Sequence, residues 1–162
     1  MLFLLLVVIA VLWVLTALDV LRRRGISGRR RAVWMVATLM LPVIAIPLYW
    51  AIKRLSPGLY FGATAAVTAA GIWASNRMAD SLGDEDPSCV VIDEVAGALL
   101  ALGLVRGRGW RSELVALILF RALDIAKPGP IKWSERARPP GLGIMLDDVV
   151  AGGLAGVISR LL

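Results

Sequence analysis

The sequence predicts an all-α fold, specifically a multi-pass membrane bundle of about six helices. Three observations carry this expectation. Of the 162 residues, 59% are hydrophobic, and the mean hydropathy of +0.78 is far above that of a soluble domain of this size. Apolar runs close to the length of a membrane crossing alternate with short basic stretches. No histidine occurs and Cys89 is the single cysteine, which excludes a disulfide framework, a Cys/His zinc site and an imidazole general base.

A helix crosses the hydrocarbon with about 20 apolar residues. Residues 2–18 meet this, as do residues 33–52, where Pro42 and Pro47 are tolerable but kink the helix. The opening run lacks a basic flank before it and an A-x-A-like cleavage site, so it reads as a retained anchor and not a signal peptide. Residues 59–75 make a third span, 90–105 a fourth, 112–126 a fifth and 143–162 a sixth. The last three are short or carry charge, and a soluble helical bundle is the alternative for this C-terminal part.

Positive charge sets the orientation. The net charge of +6 is spread over short stretches between apolar runs, which points to an anionic lipid surface and away from nucleic acid. The stretch RRRGISGRRR belongs in the cytoplasm, which puts the N-terminus outside. Asp93 and Glu94 at the start of span four, Asp124 at the end of span five, and Asp147 and Asp148 at the start of span six then gather at the cytoplasmic membrane edge. Asp93, Gly97 and Ala101 share one helix face, as do Asp148, Gly152 and Gly156. Small residues at that spacing let membrane helices approach closely, so the acidic faces are also the packing faces.

Five crowded carboxylates need a counter-charge. Arg121 and Lys127 flank Asp124 at helical spacing in R-x-x-D-x-x-K, but two cations cannot neutralise five acids and also bind an anion. A hard divalent cation suits the oxygen ligands, and Mg²⁺ binds through a few carboxylates plus substrate phosphate. The remaining phosphatase chemistries fail on sequence. There is no histidine, no Cys-x₅-Arg (the sixth residue after Cys89 is Val95), and no D-x-D following an apolar strand. Metal-assisted hydrolysis without a covalent intermediate remains.

Each feature also has a structural reading. The acid pairs suit helix N-termini, and Arg121 with Asp124 suits a structural ion pair. The KPGP run from Lys127 is a helix stop. Gly141 and Gly143 fit either a phosphate approach or a plain turn. Cys89 fits a packing residue, the six tryptophans an interfacial belt, and Asp84, Glu85 and Asp86 a solvated loop.

DPSCVVIDEVAG, FRALDIAKPGPIKW and GLGIMLDDVVAGG, in this order, resemble the phosphatidylglycerophosphatase A family. The resemblance runs from about Pro47 to the C-terminus. It implies a magnesium-dependent phosphatase of the bacterial inner membrane with its active site on the cytoplasmic side, acting on phosphatidylglycerophosphate. By motif match it assigns metal-ligand and water-activating roles to Asp93, Glu94, Asp124, Asp147 and Asp148. Arg121, Lys127 and Lys132 take the phosphate-binding ones. The chain lacks the Gly-rich P-G-T-x-G-[ST] element that members usually carry near the start. Residues 1–54 instead resemble the two-helix membrane segment that precedes phospholipase D-type domains, as in cardiolipin synthases. The expected division is therefore 1–54 and 55–162. The rival readings are a non-enzymatic membrane protein, such as a cation transporter or assembly factor, and an inactive relative lacking the Gly-rich element.

Overall fold

A computed structural model describes residues 48–49, 51–87 and 90–162. The two expected N-terminal spans lie outside these residues, apart from the end of the second. So do the six-arginine loop, most of the 1–54 segment and Cys89.

Proline and glycine punctuation sets the boundaries of the first helix, α1, Pro57–Leu82. The Ser56 side chain accepts from the Leu59 N–H and Pro57 opens the first turn, while Gly83 closes the helix at φ 60°, a left-handed geometry that glycine adopts without a Cβ penalty. α2 covers Ile92–Leu104, α3 Trp110–Ala126, α4 Gly129–Ser134 and α5 Pro140–Leu161. Every regular element among the described residues is helical. The helices expected at 59–75, 90–105, 112–126 and 143–162 are thus present, and the short α4 was not expected.

Among the described residues α5 touches each of α1 to α4 and packs most extensively on α2. α2 is the core helix, with nine of its 13 residues buried. The crossing of α2 and α5 is backbone on backbone. A Cβ at Gly97 would lie 2.5 Å from the Asp148 carbonyl oxygen, and one at Gly152 would strike the Gly97 backbone. The two small-residue faces read from the sequence are therefore the faces that meet. Around them pack Ala98, Ala101, Ala116, Phe120, Ala151 and Ala155. A second cluster joins Tyr60, Val95, Leu99 and Leu102, with the Tyr60 hydroxyl donating to the Leu99 carbonyl at 2.7 Å. At the far end of α2, the Arg106 guanidinium lies over the Tyr60 ring and donates to the Lys53 and Leu55 carbonyls.

Among the described residues one helix, α5, is long and apolar enough to cross a membrane. The other three long helices fall short of that description for visible reasons. α2, at 13 residues, rises only about 20 Å against a hydrocarbon core of about 30 Å. α3 carries Arg111, Glu113, Arg121 and Asp124, and α1 carries polar Thr64, Thr68, Ser75, Asn76, Arg77 and Asp80. Six crossings therefore remain an expectation from the sequence.

Candidate active site

At one end of the bundle the start of α2, the end of α3 and the early turns of α5 line a cavity of about 350 Å³ with Asp93, Glu94, Arg121, Asp124, Lys127, Asp147 and Asp148. Seven of the eight residues expected at the site thus share one cavity. The exception is Lys132, which is exposed on α4 and does not line it. The convergence follows from the α2–α5 crossing, because Asp93 and Asp148 each precede their crossing glycine by four residues, one helical turn.

The cations are already engaged. Arg121 Nη1 lies 2.7 Å from Asp124 Oδ2 one turn along α3, and 3.0 Å from Glu94 Oε1 on α2. Both partners are largely shielded from solvent, so the bridge ties α2 to α3 in a low-dielectric setting. Lys127 caps α3 in the left-handed region at φ 41°, a conformation that costs a non-glycine residue about 1–2 kcal/mol. Pro128 cannot continue the helix, and the turn sends Lys127 Nζ to Asp147 Oδ2 at 2.6 Å and Glu135 Oε1 at 3.2 Å. Burial opposes the ammonium charge, but these two partners outweigh it and hold the Lys127 pKa above the ordinary lysine value.

Three carboxylate oxygens have no such engagement. Asp93 Oδ1, Glu94 Oε2 and Asp148 Oδ2 are buried without a hydrogen-bond partner among the described residues. Asp148 is 3% exposed and Asp147 6%. The cavity is lined by eight acids, the five predicted ones with Glu85, Asp86 and Glu135, against four bases, Arg121, Lys127, Arg136 and Arg138, a formal excess of four negative charges. The buried acids among them cost folding energy unless a cation satisfies them. Among the described residues no group of three or more acids is placed to hold a metal ion by itself, and Glu94 and Asp147 each turn one oxygen toward Arg121 or Lys127. Mg²⁺ needs no such cage. It keeps several waters and takes one or two carboxylates plus phosphate, a demand that the unpartnered oxygens of α2 and α5 fit.

Three residues at the mouth were not singled out in the sequence. Glu135 joins Lys127, Arg136 lines the cavity beside it, and Arg138 donates to both oxygens of Glu85 at 2.8 and 3.1 Å across the opening. The Arg138 hydrogen bonds hold the Glu85 carboxyl below its usual range. The only local signal for these residues was the basic and acidic S-E-R-A-R run after Trp133.

The family described as phosphatidylglycerophosphatase A matches residues 28–162. This chain belongs to that family. The match begins within the segment that resembles a phospholipase D-type leader. Phosphatidylglycerophosphatase A of Escherichia coli (strain K12) is 32% identical over 115 residues, covering 70% of this chain and 67% of that protein. The protein of the same name from Haemophilus influenzae is 33% identical over 88 residues, 54% of each chain. A Bacteroides thetaiotaomicron protein, named a candidate phosphatidylinositol-3-phosphatase, is 36% identical over 122 residues, 74% of this chain and 69% of its own length. No solved structure matches. Family membership makes the chain a lipid phosphatase.

Proposed function

We propose that the chain hydrolyses the terminal phosphate of phosphatidylglycerophosphate, releasing phosphatidylglycerol and inorganic phosphate, with Mg²⁺ as its cofactor. The observation that carries this reading is the set of three unpartnered carboxylate oxygens in one cavity with Arg121 and Lys127. Asp93, Glu94, Asp124, Asp147 and Asp148 are the residues that would hold the ion. Bound there, Mg²⁺ supplies Lewis-acid activation of water and of the phosphoryl group, and cancels charge that builds on the phosphate oxygens.

The protein's own groups perform the remaining tasks. Arg121 presents a planar guanidinium suited to two phosphate oxygens, and its carboxylate partners hold it in place before substrate arrives. Lys127 offers a second positive charge that is permanent at neutral pH. An unpartnered carboxylate oxygen, Asp148 Oδ2 or Asp93 Oδ1, accepts the proton of the attacking water as its oxygen bonds to phosphorus. The bond from phosphorus to the glycerol oxygen breaks, and that oxygen takes the proton the carboxylate had accepted to become the alcohol, which returns the carboxylate to its charged form. This route passes through no phosphoenzyme, in keeping with a sequence that has no histidine nucleophile and no Cys-x₅-Arg.

α5 supplies one crossing of the bacterial inner membrane in this reading, with the cavity at its cytoplasmic edge. Leu59, Trp73, Val157 and Leu161 leave large exposed apolar surface on α1 and α5, which acyl chains would cover. The further crossings expected from the sequence complete a multi-pass arrangement. A transporter would place its charges near the bilayer midplane on broken helices, whereas Asp93 and Glu94 stand in the first turn of α2 and Asp124 in the last turn of α3, with Asp147 and Asp148 two turns into the unbroken α5 and not at the start that the sequence suggests.

The relative named for phosphatidylinositol 3-phosphate supports a second substrate, and one assay separates the candidates. Phosphate release is followed in Mg²⁺-containing mixed micelles carrying either phosphatidylglycerophosphate or phosphatidylinositol 3-phosphate. Faster release from the former supports the proposal, and preference for the latter replaces the substrate. Release from neither leaves the non-catalytic and inactive-relative readings.

A further inference from the structure

We infer that Arg136 is a specificity-determining residue that binds the second phosphate of the substrate, the diester that joins the head group to the acylglycerol. This rests on the proposed reading of the cavity as a phosphomonoester site. The argument begins with which cations are taken. Of the four basic residues lining the cavity, Arg121 pairs with Glu94 and Asp124, Lys127 with Asp147 and Glu135, and Arg138 with Glu85. Arg136 alone has no ion pair among the described residues.

Its position in the chain fits the role. The Glu135 carboxylate reaches Lys127 Nζ at 3.2 Å, which fixes this turn beside the inner cationic end of the cavity. Arg136 is the next residue, exposed and facing the same space from the turn between α4 and α5. A substrate whose terminal phosphate lies with Arg121 and Lys127 must extend its remaining head group toward the mouth, on the way to its acyl chains. The next charge along such a molecule is the diester, one negative charge across a short glycerol bridge. A guanidinium offers that diester two parallel donors. Phosphatidylinositol 3-phosphate carries the same pair of groups, a monoester and a lipid-linked diester. Arg136 therefore recognises the chemistry common to both candidate substrates, and separates them together from phosphatidic acid, which has no diester.

The test uses the full chain in mixed micelles of fixed composition, with KM and kcat for phosphatidylglycerophosphate measured in the unmutated protein and in Arg136→Ala, Arg136→Gln and Arg136→Lys. Phosphatidic acid is titrated as a competitor in the same micelles, so its inhibition constant reads monoester binding alone. Loss of one charge-assisted contact is expected to raise KM roughly 10- to 100-fold in the Ala and Gln variants. kcat should change by less than about threefold, the phosphatidic acid constant by less than about twofold, and lysine should recover part of the loss. An unchanged KM overturns the inference. A parallel weakening of phosphatidic acid also overturns it, since that marks a general surface charge. If the unmutated chain releases no phosphate from either phosphodiester-containing lipid, the underlying reading fails and this one with it. Release with a flat Arg136 series removes this one alone.

Discussion

At the scale of single residues, the cavity holds carboxylates in a state that folding alone disfavours. Asp148 is 3% exposed, and its Oδ2 has no partner among the described residues. Asp148→Asn removes one of the excess charges while keeping the shape. Its thermal midpoint, measured without divalent ions, should therefore rise even as phosphate release falls by about 100-fold or more. A fall in both would show that the carboxylate is needed for packing and not for chemistry. Arg121→Met should behave in the opposite sense for stability. It leaves Glu94 and Asp124 facing each other in a shielded space, a loss of about 3–5 kcal/mol for a buried pair broken on one side. Denaturant unfolding in detergent reads this directly, and a loss much smaller than that would mean the bridge is solvated.

At the scale of helices, the α2–α5 crossing positions the site, and two adjacent glycines test it. Gly152→Ala places a methyl against the Gly97 backbone, whereas a Cβ at Gly153 meets only Leu100 Cδ2, at 3.8 Å. Gly152→Ala should cost about 1–3 kcal/mol and reduce activity by moving Asp148 away from Asp93. Gly153→Ala should be neutral or gain up to about 1 kcal/mol from helix propensity. Equal effects in paired melting and activity curves would remove the close crossing from the account. This crossing was legible in the sequence, because Asp93-Gly97-Ala101 and Asp148-Gly152-Gly156 repeat at helical spacing. The fate of Lys127 was not. R-x-x-D-x-x-K reads as one helix face, and Arg121 with Asp124 obeys it, but Lys127 leaves the helix through a left-handed turn and finds Asp147 and Glu135 instead. Local spacing carries no information about partners brought in by a later turn. Gly141 and Gly143 show the same limit. They had fitted a phosphate loop or a turn, yet α5 begins at Pro140, and the Gly141 N–H is held by Asn76 Oδ1 at 2.6 Å. Their small size serves contact with α1 and with the Glu135 carbonyl.

At the scale of the whole molecule, the described helices expose large apolar side chains beside a charged cavity. Trp73, in α1, is 66% exposed, and Trp133, on the short helix near the cavity mouth, is 69% exposed. The central claim is that carboxylates from α2, α3 and α5 form one cation site, and its most direct measurement is the thermal midpoint of the lipid-free, detergent-solubilised chain as Mg²⁺ is titrated. The account predicts a saturable rise, worth about 2.7 kcal/mol at a hundredfold excess over the dissociation constant, that is lost in Asp148→Asn. A midpoint indifferent to Mg²⁺, or a rise that Asp148→Asn leaves intact, would contradict it.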